Sequence, residues 1–448
     1  MVYPLLIIIL ASVLLLLAVH PSRTVYVRLL SFPSLCVVFV VCLVLFSDTA
    51  VKSALNGLNL WVSAVVPSLF PFFVASELIS ASGLAYLAGI LLEPVMRPVF
   101  NVPGCSSLAL ALGMISGYPV GAKITSDLRK NNALTKTEAE RLLAFTNNSG
   151  PIFITGAVGT GMLGSPSIGL FLLACHLLAG ITVGLVFRFY KPSANRHMPA
   201  SASAAEKSRK SSFDRSGKSV RINTKHIGAA LKEMLVIHGN KRPDPGTLLG
   251  EAVRNSVSAV LSIGGFIVLF SVITGFLEET GFIRLTAAAV LRLLPANMLK
   301  WDMEGIISGI LSGTLEITAG TGAVSRCAAA PLFIKLPAVS FIIGWAGLSV
   351  HLQVMSIVSG TDINIRPYLL GKLLHGAAGA VYAWVGSKLI PLGNMAVQPA
   401  LGLPGFEMQS FFESMWRSIW TLVLVIAALV GTISVLRFHE ARKKKSST

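Results

Sequence analysis

Apolar runs of bilayer length recur along the whole chain, and the informative positions are the ones where those runs break. The pattern predicts membrane-spanning helices at roughly 3–20, 32–48, 57–81, 136–163, 166–190, 247–277, 337–359, 366–389 and 411–436. Two further stretches, about 105–130 and 301–331, are interrupted midway by polar and glycine residues. Each is too long for one span and too broken for two, so each predicts a re-entrant hairpin. The sharpest conflict lies in "LLAFTNNSGPIFITGAVGTG" (Leu142 to Gly161), where "NNSGP" occupies the middle of an otherwise lipid-compatible segment.

Pro151 has no N–H and crowds the carbonyl four residues earlier, that of Asn147. The helix is therefore predicted to end near Asn147 and to restart at Pro151, a favoured first helical position. Carbonyls and N–H groups freed there cost several kcal/mol each in lipid, roughly the cost of an unpaired buried amide. They survive against protein, water or a bound solute, and half-helix N-termini favour anions while freed carbonyls favour cations. Asn147, Asn148, Ser149 and Gly150 are accordingly candidate solute contacts. The plain alternative is a proline kink with no ligand.

The interruptions recur. "FFVASELISASGLAYL" (from Phe72) pairs with "FIVLFSVITGFLEETGFIRL" (from Phe266), "GMISGYPVGAK" (from Gly113) with "GILSGTLEITAG" (from Gly309), and "NNSGP" with "WAGLSVHLQ" (from Trp345). The spacings agree within two or three residues. Each unit reads as span, surface helix, hairpin, broken span, span. The first tip offers Ser116, Gly117, Tyr118 and, one turn on, Lys123; the second offers Ser312, Gly313, Thr314 and Glu316. A carboxylate at mid-span costs roughly 2.5–3.5 kcal/mol on insertion scales, so Glu316 is expected to face a polar cavity, an ion or the solute. Ser349, His351 and Gln353 fall in the second broken span, where His351 alone is more simply an interior histidine. Lys123 has an equally plain reading as a lysine snorkelling to the interface. The first tip resembles a phosphate loop, but the Gly117–Gly121 spacing is too short and Ile124 follows the lysine, so ATP hydrolysis is not expected.

Composition agrees with a membrane protein: 53% of the 448 residues are hydrophobic and 13% charged, which excludes an ordinary soluble domain. The run from Tyr3 to Val19 lacks a basic n-region and an A-x-A-like end, and reads as a retained helix rather than a signal peptide. Five scattered cysteines and isolated histidines form no metal motif, and no cofactor, metal site or catalytic constellation is expected. The net charge of +17 sits in loops, which points to positive-inside bias rather than nucleic acid. Residues 191–245 carry twelve Lys/Arg against four Asp/Glu and form a Ser-rich linker. Its Ile227–Ile237 stretch reads as a surface amphipathic helix or a loosely docked one. This linker, the loop with Arg23 and Arg28, and the tail "RFHEARKKK" fall on one face if there are nine spans and two hairpins. That face is predicted to be cytosolic, with the N-terminus outside, and the two repeats are then inverted, a recurring design of secondary transporters. The expected fold is all-α and polytopic: N-terminal helices 1–50, repeat one 51–190, linker 191–245, repeat two 246–390, and a last helix with basic tail 391–448.

"MISGYPVGAKI", "LLAFTNNSGPIFITGAVG" and "ISGILSGTLEIT" closely resemble the YlbJ-type sporulation integral membrane proteins (the stage V sporulation protein V family), over roughly residues 50–390. The resemblance implies two nucleoside-recognition Gate domains, an architecture similar to concentrative nucleoside transporters, and movement of dipicolinate across the outer forespore membrane during endospore formation. By that similarity Glu316 contacts the ligand. A carboxylate repels a planar dianion unless it is protonated or bridged, which implies coupling to H⁺ or Na⁺ or transport of a calcium chelate. Dimers or trimers follow by analogy. A nucleoside or other small metabolite is the alternative cargo, and a non-transporting membrane scaffold or sensor the alternative class. Asn148→Ala or Glu316→Ala is predicted to leave the protein inserted and to abolish solute movement; normal dipicolinate accumulation in both variants would overturn the site assignment.

Overall fold

A computed structural model describes residues 24–82, 92–93, 95–191, 244–293, 301–389 and 416. The expected spans at 3–20 and 411–436, nearly all of the basic linker with its Ile227–Ile237 helix, and the basic tail lie outside the described residues.

The described residues are helices and their connections. α1 (Thr24–Leu45) is followed by α2 (Ser47–Leu60), which runs through a π-helical turn at Trp61–Val65 into α3 (Val66–Ser82). α4 (Ser107–Ser116) and α5 (Val120–Lys130) form a hairpin, α6 (Lys136–Thr146) and a π-helical segment (Phe153–Met162) form an interrupted helix, and α7 (Pro166–Phe187) closes the first half. In the second half α8 (Pro245–Glu279) and α9 (Phe282–Leu291) precede a hairpin of α10 (Met303–Leu315) and α11 (Ile317–Arg326). An interrupted helix of α12 (Leu332–Trp345) and α13 (Gly347–Val358) follows, then α14 (Ile365–Leu389). The order long helix, hairpin, interrupted helix, helix thus occurs twice.

Local chemistry sets the starts of these helices. Thr135 and Glu138 form a reciprocal capping box on α6. Ser165 followed by Pro166 starts α7, and Asp244 followed by Pro245 starts α8. Asp302 accepts from Gly305 N at 3.0 Å to start α10.

By length and composition, three described helical runs could cross a membrane: α7, α8, and α12 with α13 taken together. A fourth arises if Pro33–Leu45 and Ser47–Ser63, bent by 100°, count as one. Two of the nine expected spans lie outside the described residues, and two of the remaining segments depart from a simple span for physical reasons. The 136–163 segment opens with a charged turn, and its apolar part is interrupted. α14 is 25 residues long but carries Arg366, Lys372, His375 and Lys388. Apolar side chains are nevertheless turned outward along the long helices, for example Leu178, Leu185 and Val186 on α7 and Leu249, Val257 and Leu261 on α8. Asn147, Asn148, His176, His351, Lys372 and His375 are buried instead. That distribution reverses the soluble pattern and suits lipid outside and polar chemistry inside.

The charges of α6 gather at one end of the molecule. Buried Arg141 donates to the carbonyls of Asn101, Tyr190 and Lys191, each at 2.8 Å. Arg97 pairs with Glu138 at 2.7 Å, and Glu140 accepts from Tyr190 Oη and from Asn364 N. Nearby, Arg129 of α5 grips both oxygens of Asp362 at 2.8 and 3.0 Å, and these hydrogen bonds hold the carboxyl below the usual carboxylate range. The two halves are thereby tied at this end by polar contacts as well as by apolar packing.

Small residues let the inner helices approach. A Cβ built on Gly344 of α12 would lie 2.6 Å from Gly376 Cα of α14, whereas one on Gly265 of α8 meets nothing within 4 Å. Gly344→Ala should therefore destabilise by about 1–3 kcal/mol through overpacking. Gly265→Ala should stabilise by about 0.5–1 kcal/mol. Thermal unfolding of the two variants in detergent micelles checks the contrast.

Candidate functional site

Each hairpin turn sits on the interruption of the helix pair that follows it. α4 ends at Ser116, Gly117 turns the chain at φ +90°, and α5 begins at Val120. α6 ends at Thr146, Asn147 leaves helical geometry, and the helix resumes at Pro151. A Cβ on Gly117 would come 2.5 Å from Gly150 N, and one on Gly150 would come 2.9 Å from Ser116 O, so glycine at both positions permits backbone-to-backbone contact. Ser149 Oγ donates to Tyr118 Oη at 3.2 Å across the same junction.

The second half repeats the arrangement more tightly. α10 turns into α11 at a single extended residue, Glu316, and α12 gives way to α13 at Ala346 and Gly347, both with positive φ. Trp345 Nε1 donates to Thr314 O at 3.2 Å, and a Cβ on Gly347 would lie 3.1 Å from Leu315 O and 3.3 Å from Gly313 O. The interruption is narrower than the expected 345–353: Ser349, His351 and Gln353 lie within the regular helix α13. The pair Ala346–Gly347 confines the reversal to one peptide unit, so no wider unwinding is required.

The two junctions also meet. Ser149 Oγ lies 3.4 Å from Ile343 O, one turn before the second interruption. α5 packs on α13, with Ser126 Oγ donating to Ile357 O at 3.3 Å, and α11 packs on the π-helical segment. Each hairpin thus touches its own interruption and the resumed helix of the other half.

The freed backbone groups of the first interruption are taken by side chains. Lys372 Nζ donates to Asn147 O at 3.0 Å, and Ser149 N donates to His176 Nε2 at 3.0 Å. The rings of His176 and His375 stack at 4.3 Å, and His375 Nε2 lies 3.0 Å from His176 O. Asn147 Nδ2 reaches Tyr368 Oη at 3.2 Å, which also contacts His351 Nδ1 at 3.1 Å, and Asn148 Nδ2 donates to Phe145 O at 2.9 Å. Ser116 Oγ, Asn147 Oδ1, Asn148 Oδ1, His176 Nδ1, His351 Nε2, Gln353 Oε1 and His375 Nδ1 are buried without a hydrogen-bond partner among the described residues. Each such atom costs about 1–3 kcal/mol unless something polar meets it.

The candidates divide accordingly. Ser116, Gly117, Tyr118 and Asn147–Gly150 come together at the first junction, and Gly313 and Thr314 lie at the second. Ser312 Oγ turns instead to Glu278 of α8 at 3.3 Å, and Glu316 caps α11 through Ala319 N at 2.7 Å and through Thr318 Oγ1. Lys123 is paired with Glu77 of α3 and lies 3.8 Å from Asp127. It lines a separate cleft of about 210 Å³ with Ser126, Asp127, Lys130, Ser262 and Gln353. Gln353 Nε2 in turn reaches Ser349 Oγ at 3.4 Å. Lys372, His176, His375 and Tyr368 escaped the sequence reading. Their signal was an ionisable residue inside an apolar run, as in "LLACHLLAG" and "GKLLHGAAGA".

A family profile described as nucleoside recognition, Gate, matches residues 62–166, the stretch that holds the first hairpin and first interruption. The sporulation integral membrane protein YlbJ of Bacillus subtilis (strain 168) is 38% identical over 331 residues, covering 74% of this chain and 76% of the relative. No solved structure matches.

Gly117→Ala should lower stability by about 1–3 kcal/mol, because the added methyl meets Gly150 backbone at a left-handed position. Gly156→Ala, where the methyl meets nothing within 4 Å, should leave the melting temperature unchanged or slightly raised. Melting curves of the two purified variants decide it.

Proposed function

The chain belongs to the YlbJ family of sporulation integral membrane proteins, and from that premise we propose that it is a secondary transporter or facilitator for a small anionic metabolite. The observation that carries the reading is the pair of hairpin turns, each seated on a helix interruption, with the two interruptions joined at Ser149 and Ile343. A membrane protein that needs only structure gains nothing from breaking two hydrogen-bond ladders at one place, since each freed group must be satisfied again. Paired discontinuous helices are, by contrast, how transporters build a polar site away from water. In this reading the halves are inverted in the membrane, the hairpins are re-entrant from opposite faces, and the N-terminus is outside with the linker and C-terminus cytosolic.

The proposed cargo is dipicolinate, moved across the outer forespore membrane during endospore formation. The support is the relative's place in sporulation and the site's polarity. Tyr118, beside Ser149, offers an aromatic face of the right kind for a planar ring. Glu316 disfavours a bare dianion, so movement is coupled to H⁺ or Na⁺ or uses a cation-bridged form. The Gate match favours a second reading, a nucleoside cargo.

Purified protein in liposomes should accumulate labelled dipicolinate above protein-free vesicles, with a rate that responds to either a pH or an Na⁺ gradient imposed separately. Excess nucleoside should not compete. Flux of nucleoside with no flux of dipicolinate would establish the second reading in its place.

A further inference from the structure

The first interruption contains a buried lysine that has no carboxylate partner among the described residues. Lys372 is 1% exposed and donates to Asn147 O at 3.0 Å. An ammonium carries three donors, and one carbonyl engages one of them. Among the described residues no carboxylate lies within 4 Å of it; the recorded ion pairs involve other side chains. A lysine kept only to satisfy a backbone carbonyl would be a poor choice, because a neutral donor does the same without a buried charge.

A second donor stands beside it. His176 accepts Ser149 N–H at Nε2, which places its own proton on Nδ1, and that N–H is buried without a partner among the described residues. Lys372 and His176 are held together because they take the carbonyl of Asn147 and the amide of Ser149, two residues apart. His375, one turn along from Lys372, stacks on the His176 ring. We infer that Lys372 and His176 Nδ1–H form an anion subsite that holds one carboxylate of a small organic acid, so that the solute supplies the counter-charge that the described residues do not. This deepens the transport reading above and rests on it for its biological sense, though the binding can be tested without transport. The neighbouring acceptors Asn148 Oδ1 and His375 Nδ1 disfavour a bare anion on their side, so the subsite takes a single carboxylate against Lys372. Lys123, already paired with Glu77, is not the binding charge.

The test is equilibrium dialysis of labelled pyridine-2,6-dicarboxylate against the purified full chain. Lys372→Gln should weaken binding about tenfold or more, the scale of a lost hydrogen bond to a charged group, while Lys372→Arg stays within a few-fold of the parent. Asn148→Asp, which sets a carboxylate beside the subsite, should weaken it to a similar degree and does not remove the Lys372 contact to backbone. Undiminished binding in Lys372→Gln or Asn148→Asp, or no binding by the parent protein, overturns the subsite. Binding that depends on Lys372 with no flux in vesicles would uphold the subsite and refute transport. Flux with Lys372-independent binding would do the reverse.

Discussion

An interrupted helix in the interior of a membrane protein has to satisfy its own freed backbone, and the rest of this structure is organised around that demand. At the first interruption the carbonyl of Asn147 goes to Lys372 and the amide of Ser149 to His176. At the second, Trp345 reaches across to the hairpin carbonyl of Thr314. Lipid offers no hydrogen bonds, and these partners come from the protein. α14 and α7 supply two of these partners, Lys372 and His176, from otherwise apolar surroundings.

Close approach is the second condition. The hairpin turns reach the interruptions because glycine occupies the contact on both sides at the first junction and at Gly313 and Gly347 of the second. Around this polar centre two apolar clusters fill the interior, one about Leu142, Phe145 and Phe100 and the other about Ile154, Leu172 and Ile342. The charged network of Arg97, Glu138, Glu140 and Arg141 gathers at one end, where it ties the start of α6 to the loop before α14. Lipid-compatible surface, apolar packing and a polar centre are thus nested, and the site owes its polarity to elements from both halves.

Much of this plan was legible in the chain. "NNSGP" and "SGYP" break helices by rules that depend on one or two residues: a missing N–H, a missing Cβ, a fixed φ. The break at Asn147–Gly150, the restart at Pro151 and both hairpins follow from such rules. The second interruption was located less well, because Ala346 adopts a positive φ that alanine does not advertise. Lys123 and Glu316 looked like site charges because they stand beside the turns. Whether each is already engaged, Lys123 by Glu77 of α3 and Glu316 by its own helix, depends on partners that spacing does not reveal.

The sequence by itself determined the class of molecule, the doubled order of elements and the positions where the backbone hydrogen bonding stops, since these depend on hydrophobicity and on local steric rules. Only the tertiary structure decided which groups meet at the interruptions. Lys372 and His176 are some two hundred residues apart, and Ser149 and Ile343 nearly as far, yet each pair converges on one turn of backbone. Convergence of that kind is set by how helices cross, and crossing is a property of packed surfaces rather than of any local stretch of chain.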